Sequence, residues 1–349
     1  MSDLVELLKK ALALGASDVI VSAGSSVAFR IDGQLALEGG RPLSGEETQK
    51  LLYGVLEEGQ IARFERDREL DFSLTLPGNH RFRGNAFFQR GTIGGAFRLI
   101  NSRIPSLQDL GLPPIVEELA LAPQGLVLVT GPTGHGKSTT QAAMIDVINR
   151  RRKAHIVTIE DPIEFMHANL QSVIEQREVG EDTLSFESAL KHVLREAPDV
   201  ILVGEMRDTE SIAAALSASE TGHLVIATVH TNDAVQAIDR LLDSFPPHQQ
   251  PQVRAQMSLS LLAVVAQRLV PRKEGKGRVP AVEVLRNTSA VAHLLRDMKT
   301  HQIYSIMETH AREGMKTLDS ALKELYLKGA IAYEEAKRLM RNPSLLERS

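Results

Sequence analysis

The chain has 349 residues and no cysteine, which excludes a disulfide framework and any cysteine-ligated zinc. Its formal net charge of -4 and 4% aromatic content weigh against a general nucleic-acid binder, which carries a basic excess and base-stacking rings. No run of about 18 apolar residues is present to span a membrane. The acidic, amphipathic start MSDLVELLKK is unlike a signal peptide, so a cytoplasmic protein is expected.

Asp3 to Leu14 is predicted to be helical. Leu4, Leu7, Leu8, Ala11 and Leu12 fall on one face, Asp3 and Glu6 have capping-box spacing, and Gly15 is a stop. VIVS and VAFRID then read as short strands around a Gly-Ser turn, with a hairpin signal at Asp32-Gly33. After a helix around Glu46 to Glu57 come DFSLTL, the turn Pro77-Gly78-Asn79, HRFRGNAFFQR and GGAFRLI. This predicts a small antiparallel sheet with helices, an α+β domain over residues 1–100. SRIPSLQDLGLPP contains three prolines and reads as a linker, placed at 101–114. Beyond it GLVLVT, HIVTI, DVILVG and HLVIATVH alternate with helical stretches. Near-continuous apolar strands between helices predict a parallel sheet covered on both faces, an α/β core over 115–288. The remainder, 289–349, reads as helical and charged.

The segment GLVLVTGPTGHGKSTT fits G-x-x-x-x-G-K-[ST], between a predicted strand and a predicted helix. Glycines there let backbone N–H groups curl around phosphates, and the helix N-terminus adds its positive end. The residues expected to hold nucleotide are Gly131, Pro132, Thr133, Gly134, His135, Gly136, Lys137, Ser138 and Thr139. Lys137 would reach the β- and γ-phosphates of ATP, and the Ser138 hydroxyl would bind Mg²⁺.

Ligands of open α/β sheets bind beyond the carboxyl ends of the strands. HIVTI is followed by Glu160-Asp161-Pro162-Ile163-Glu164, DVILVG by Glu205-Met206-Arg207-Asp208, and HLVIATV by His230-Thr231-Asn232. All three ends are expected at the edge that carries the phosphate loop. His230 would then lie near a γ-phosphate or an attacking water. His223 begins the same strand, roughly 23 Å away at about 3.3 Å per residue, so the two histidines cannot share a zinc ion. A satisfied structural role is expected for His223. Gly204 stands where an Mg²⁺-binding Asp usually ends such a strand, and Asp199 is too far away to replace it. Mg²⁺ is therefore expected on Ser138, phosphates and waters, with Glu160 or Glu164 behind those waters. Glu205 is left to polarise the attacking water.

These segments resemble the secretion ATPase superfamily and, within it, the type IV pilus retraction motors of the PilT type. GPTGHGKSTT resembles the Walker A box, TIEDPIEF the Asp box, LREAPDVILVGEMRD an atypical Walker B box, and ETGHLVIATVHT the His box. ASDVIVSAG, RFRGNAF and EQREVGEDTLSF extend the likeness over nearly the whole chain. The resemblance implies a PAS-like N-terminal domain and a RecA-like ATPase domain, with six chains forming a ring. It implies ATP-driven removal of pilin subunits, with peripheral docking on an inner-membrane platform protein of the pilus machinery and no nucleic-acid partner. It also implies that Arg83 and Arg98 reach the γ-phosphate from the N-terminal domain, with Arg240 a further arginine near the site. The plain alternative for Arg83 and Arg98 is an outward position on a small sheet.

Three departures from the family pattern stand out. His135 occupies a position where Ser is usual, and Ala197 one where an acid is usual. AVAHLLRD, residues 290–297, resembles the motif AIRNLIRE but has Ala292 and His293 in place of its Arg-Asn pair. By resemblance, Leu294, Leu295 and Arg296 would form a surface that transmits motion to the pilus. The alternatives are an extension or type II secretion ATPase, a RecA-like nucleic-acid motor, and a nucleotide-binding subunit without turnover. Extension motors usually carry a longer N-terminal region and a tetracysteine zinc site, which favours retraction here. Glu205 argues against a subunit without turnover.

Overall fold

A computed structural model describes residues 3–31, 33–78, 80–100 and 103–347. The predicted Asp3 cap depends on a side chain outside that set, and Asp32, Asn79 and the linker residues Asn101-Ser102 also lie outside it. The chain divides into two units, Met1–Arg103 with Glu164–Met166, and Ile104–Ile163 with His167–Ser349.

In the first unit, helix α1 (Asp3–Leu14) buries Leu4, Leu8 and Ala11, three of the five residues predicted to share its face. Strands β1 (Asp18–Val21), β2 (Ala28–Ile31), β3 (Gln34–Leu37), β4 (Glu69–Leu76), β5 (His80–Gln89) and β6 (Thr92–Leu99) form an antiparallel sheet in the order β3-β2-β1-β6-β5-β4. Where one helix is predicted there are two, α2 (Gly45–Tyr53) and α3 (Glu58–Asp67). Ser44 and Glu47 make a reciprocal capping box at the start of α2. Helix α3 buries only Phe64, so its apolar period is too weak to read. Phe29, Phe64, Phe82 and Phe97 fill the core of this unit, with Phe72 edge-on to Phe97 at 6.0 Å.

The second unit comprises helices α4 (Ile115–Ala120), α5 (Lys137–Arg151), α6 (Phe186–Val193), α7 (Thr209–Glu220), α8 (Ala234–Asp243), α9 (Gln250–Ser260), α10 (Ser289–Arg296), α11 (Ile303–Thr309), α12 (Leu318–Leu327), α13 (Tyr333–Leu339) and α14 (Ser344–Glu347). Its strands are β7 (Gly125–Thr130), β8 (His155–Glu160), β9 (Val173–Glu178), β10 (Val200–Val203), β11 (Leu224–Val229), β12 (Leu261–Pro271) and β13 (Arg278–Arg286). They form one sheet in the order β13-β12-β7-β11-β10-β8-β9. Every pairing is parallel except β12 with β13.

The four predicted strands occupy the middle of this sheet. Leu126 and Leu128 of β7 enter the core formed with α6 to α11, while Val127 and Val129 enter the core that contains residues of α4 and α5. Burial on both faces explains their unbroken apolar runs. Strands β9, β12 and β13 go beyond the predicted set. β9 is exposed or half-buried at every residue but its last, Glu178, as suits an edge strand. β12 follows α9 without a break, so the switch from helical to strand period is hidden. Helices α12 to α14 pack their own cluster against Val270 and Ala281.

Candidate active site

Parallel register aligns the strand ends. Thr130 lies beside Val229, while Val203 lies beside both Ala227 and Ile159. The phosphate loop, His230, Glu205 and Glu160 therefore emerge at one edge of the sheet. Glu205 comes one residue after the usual acidic position for a physical reason. A Cβ on Gly204 would lie 3.1 Å from the Ile159 carbonyl oxygen and 3.2 Å from the Glu160 Cα. A side chain there would force the backbone of β8 to give by a few tenths of an ångström.

Gly131 has a φ of 147°, and a Cβ there would meet the Gln267 carbonyl oxygen at 2.3 Å. Only glycine permits this approach. The Lys137 ammonium is buried and donates to the carbonyls of Gly131 at 2.9 Å and Pro132 at 3.1 Å. It also lies 3.4 Å from His230 Nδ1, and Thr133 Oγ1 lies 3.5 Å from the same nitrogen. On the other side of the ring, His230 Nε2 is 3.2 Å from Glu205 Oε1. An ammonium facing Nδ1 and a carboxylate facing Nε2 select the tautomer with its proton on Nε2. His230 thus links the phosphate-loop lysine to Glu205.

Arg207 donates to Glu205 Oε2 at 2.7 Å. Burial pushes the Glu205 carboxyl up, but the hydrogen bond and charge of Arg207, with the His230 ring facing its other oxygen, outweigh it. The net position lies below the usual range. Glu160 is half-buried and accepts from Thr158 Oγ1 at 2.6 Å and Gln176 Nε2 at 3.3 Å. Ser138 and Thr139 occupy the first turn of α5, partly exposed.

Glu164 is exposed and groups with the first unit. Arg240 is exposed on α8, with no ion pair among the described residues. Arg83 and Arg98 are exposed and directly opposed on β5 and β6, with Arg98 Nε on Asp18 at 2.8 Å. His223 precedes β11 and its Nδ1 meets the Ala218 carbonyl at 3.0 Å, the satisfied role expected for it. Among the described residues no group of three His, Asp or Glu side chains could hold a metal ion.

The tail motif needs correction. Leu295 is fully buried and Leu294 nearly so, both in the main core of the second unit. They cannot form a surface that hands motion to a partner. The exposed positions of the motif are Ala290, His293, Arg296 and Asp297, with Arg296 donating to Ser258 Oγ at 3.2 Å.

One constituent of the site went unread in the sequence. Gln267 on β12 is buried, accepts from Thr140 Oγ1 at 2.7 Å and donates to the His135 carbonyl at 2.9 Å. Leu269 N–H donates to the His135 ring at 3.0 Å, and Arg278 donates to the Gly134 carbonyl at 3.2 Å. The phosphate loop is thus tied down along β12 and β13. The available signal was Gln267 with Arg268 inside the otherwise apolar run LLAVVAQRLV.

Burial, and after it the charges of Arg278, Arg268 and Lys137, hold the His135 imidazole below its ordinary pKa. It is therefore neutral at neutral pH and able to accept. His135→Ala is expected to orphan the Leu269 N–H at a cost of about 1 kcal/mol, weakening ATP binding roughly fivefold. Turnover at saturation should hold. Wild-type affinity should also fall as acid protonates the ring well below pH ~6.5, a loss absent from the variant. Titrations of both proteins across pH check this, and equal affinities at every pH would remove His135 from the clasp.

A strand, a glycine-cradled loop and a helix that opens on Lys137-Ser138, with a carboxylate on a neighbouring strand end, define a P-loop nucleoside triphosphatase. The model of the family described as Type II/IV secretion system protein matches residues 2–338, and the chain belongs to that family. It is 46% identical over 341 residues to the Type IV pilus retractation ATPase PilT of Pseudomonas aeruginosa, covering 98% of this chain and 99% of that one. It is 44% identical over 331 residues to the Type IV pilus ATPase PilU of the same organism, covering 95% and 87%. A crystal structure of the pilus retraction motor PilT with bound ADP is 46% identical and matches the full length of both chains with a TM-score of 0.91. That agreement covers the N-terminal α+β domain, the ATPase domain and the helical C-terminal end.

Proposed function

We propose that this chain is an ATP-hydrolysing motor that powers type IV pilus retraction and, with it, twitching motility. The observation that carries the reading is the full-length likeness to PilT, with the Lys137–His230–Glu205 chain of contacts intact at its centre. Lys137 and the N-terminus of α5 bind the phosphate charge. Glu205 polarises the water and takes its proton, and His230 reports the state of the phosphate to Glu205. Mg²⁺ fits this donor set. A lone hydroxyl at Ser138 suits an ion that keeps most of its waters, and Glu160 stands at the same edge to receive hydrogen bonds from those waters. When bound, the ion supplies charge neutralisation on the phosphate oxygens.

Arg83 and Arg98 belong to the proposed machinery as guanidinium groups for the triphosphate, with Arg240 and Glu164 as further contributors. Arg83 stands directly opposite Arg98, which is already paired with Asp18, so Arg83 is the guanidinium better placed to take up a further anion. The working form is a homohexamer docked peripherally on a platform protein at the inner face of the inner membrane. No helix among the described residues is long and apolar enough to cross a membrane. An accessory retraction motor is the second reading, favoured by Ala292 and His293 in place of the Arg-Asn pair of the motif AIRNLIRE.

Deletion of the gene is expected to give more surface pili and no twitching. Loss of surface pili would instead mark an extension motor. Arg296→Ala alone, with Leu294 and Leu295 left intact, is expected to keep ATP turnover near wild type while blocking retraction. Normal twitching in that strain would remove Arg296 from the coupling surface.

A further inference from the structure

The loop that carries His230 is held from two sides. On one side Thr231 N–H donates to Thr130 Oγ1 at 3.1 Å, and that hydroxyl donates to the Thr231 carbonyl at 2.9 Å, fastening the loop to the strand that feeds the phosphate loop. On the other side stands Asp233, three residues after His230, with a side chain only 8% exposed. Its Oδ1 caps α8 through the Gln236 N–H at 2.8 Å, and its Oδ2 accepts from Arg341 Nη2 at 2.5 Å. Arg341 comes from far along the chain, just past α13. Its guanidinium lies over the Tyr304 ring at 4.4 Å.

The contacts close into a ring. The backbone N–H groups of Arg341 and Asn342 both donate to the buried Asp319 carboxylate at 2.8 Å. Asp319 lies in the first turn of α12, whose first residue is Leu318. Leu318 N–H donates to Glu283 Oε2 at 3.0 Å, and Glu283 Oε1 accepts from Ala234 N–H, the first residue of α8, at 2.8 Å. Glu283 is 1% exposed. One buried carboxylate on β13 thus meets the N-termini of two helices, one continuing the His230 loop and one belonging to the C-terminal segment. Burial lifts the Glu283 carboxyl above its usual range and pushes the Tyr304 hydroxyl up to about 12, as expected of groups held away from water.

The Asp233, Asp319 and Glu283 carboxylates are buried, whereas the Arg341 side chain that spans them is 46% exposed, and buried carboxylates held by fixed partners are costly to rearrange one at a time. We propose that Arg341 is a positioning residue for hydrolysis: through Asp233 it sets the His230 loop, and through Asp319 and Glu283 it couples that loop to α12 and the helices beyond. This rests on the reading of the site as an ATPase.

The test compares wild type with Arg341→Lys, Arg341→Ala and Arg341→Ala combined with Asp233→Asn, all full length, in steady-state ATP turnover and thermal melting. Arg341→Ala is expected to lower kcat about tenfold with KM for ATP within about twofold, since the phosphate loop is untouched. Arg341→Lys, the variant safest for folding, should fall between it and wild type. Arg341→Ala strands a buried Asp233 carboxylate, so adding Asp233→Asn should restore the melting midpoint while kcat stays low. Recovery of kcat together with the midpoint would overturn the proposal, as would wild-type kcat in Arg341→Ala. Hydrogen exchange in wild type with and without AMP-PNP supplies a readout independent of turnover. Exchange at Leu318, Arg341 and Asn342 should slow with nucleotide bound, and unchanged exchange in a nucleotide-saturated protein would overturn the proposal. Slowed exchange in a protein that never hydrolyses ATP would uphold the coupling and sink the ATPase reading instead.

Discussion

Glu205→Gln is expected to leave a protein that binds ATP and holds it, with hydrolysis lower by roughly 10²-fold or more, the scale of general-base loss. The carboxylate already receives His230 on one oxygen and Arg207 on the other. An amide can keep one of these contacts as an acceptor but must present N–H to the other partner, and it cannot take a proton. Because Arg207 and His230 hold the Glu205 carboxyl low, acid should abolish the wild-type rate at a lower pH than an ordinary carboxylate would set. Single-turnover assays with bound ATP give the rate, and unchanged turnover would transfer the base to Glu164.

Lys137→Ala is expected to remove tight ATP binding. The buried ammonium is held by two backbone carbonyls of the phosphate loop, Gly131 and Pro132, so its position is set before nucleotide arrives. It would exchange these for phosphate oxygens, gaining charge-assisted hydrogen bonds of about 1.5–3 kcal/mol each. Loss of two such bonds corresponds to a Kd higher by roughly 10²-fold or more. Titration with a fluorescent nucleotide reads this directly. Affinity within about threefold of wild type would mean that the phosphates bind elsewhere.

What could be read in the sequence follows from burial. Strands β7, β8, β10 and β11 are mostly apolar because they are covered on both faces, and the segments that follow them carry Lys137, Asp161, Glu205 and His230 because the sheet ends there. That alone brought Lys137, Glu205 and His230 to one edge. Parts whose signal is chemical rather than periodic stayed hidden. Gln267 sits with Arg268 in an otherwise apolar strand, and only its distance to the His135 carbonyl gives it meaning. Glu283 sits in VPAVEVLR like any alternating residue of a half-exposed strand, yet it is buried. Leu294 and Leu295 erred the other way. A family motif suggested a working surface, whereas their helix turns both inward and exposes Arg296.

The place of β7 in the sheet bears on how the chain is made. One neighbour, β11, is supplied by Leu224–Val229, and the other, β12, begins only at Leu261. While the chain is still being synthesised, the phosphate loop emerges with neither neighbour present, and the Gln267 carbonyl that walls Gly131 comes more than a hundred residues later. At about 5–20 residues per second, that interval lasts on the order of ten seconds. A nascent chain should therefore gain nucleotide binding late and abruptly, once residues through Leu269 have left the ribosome. Until β11 emerges the apolar run GLVLVT is an unpaired strand, the stage at which a chaperone has most to shield.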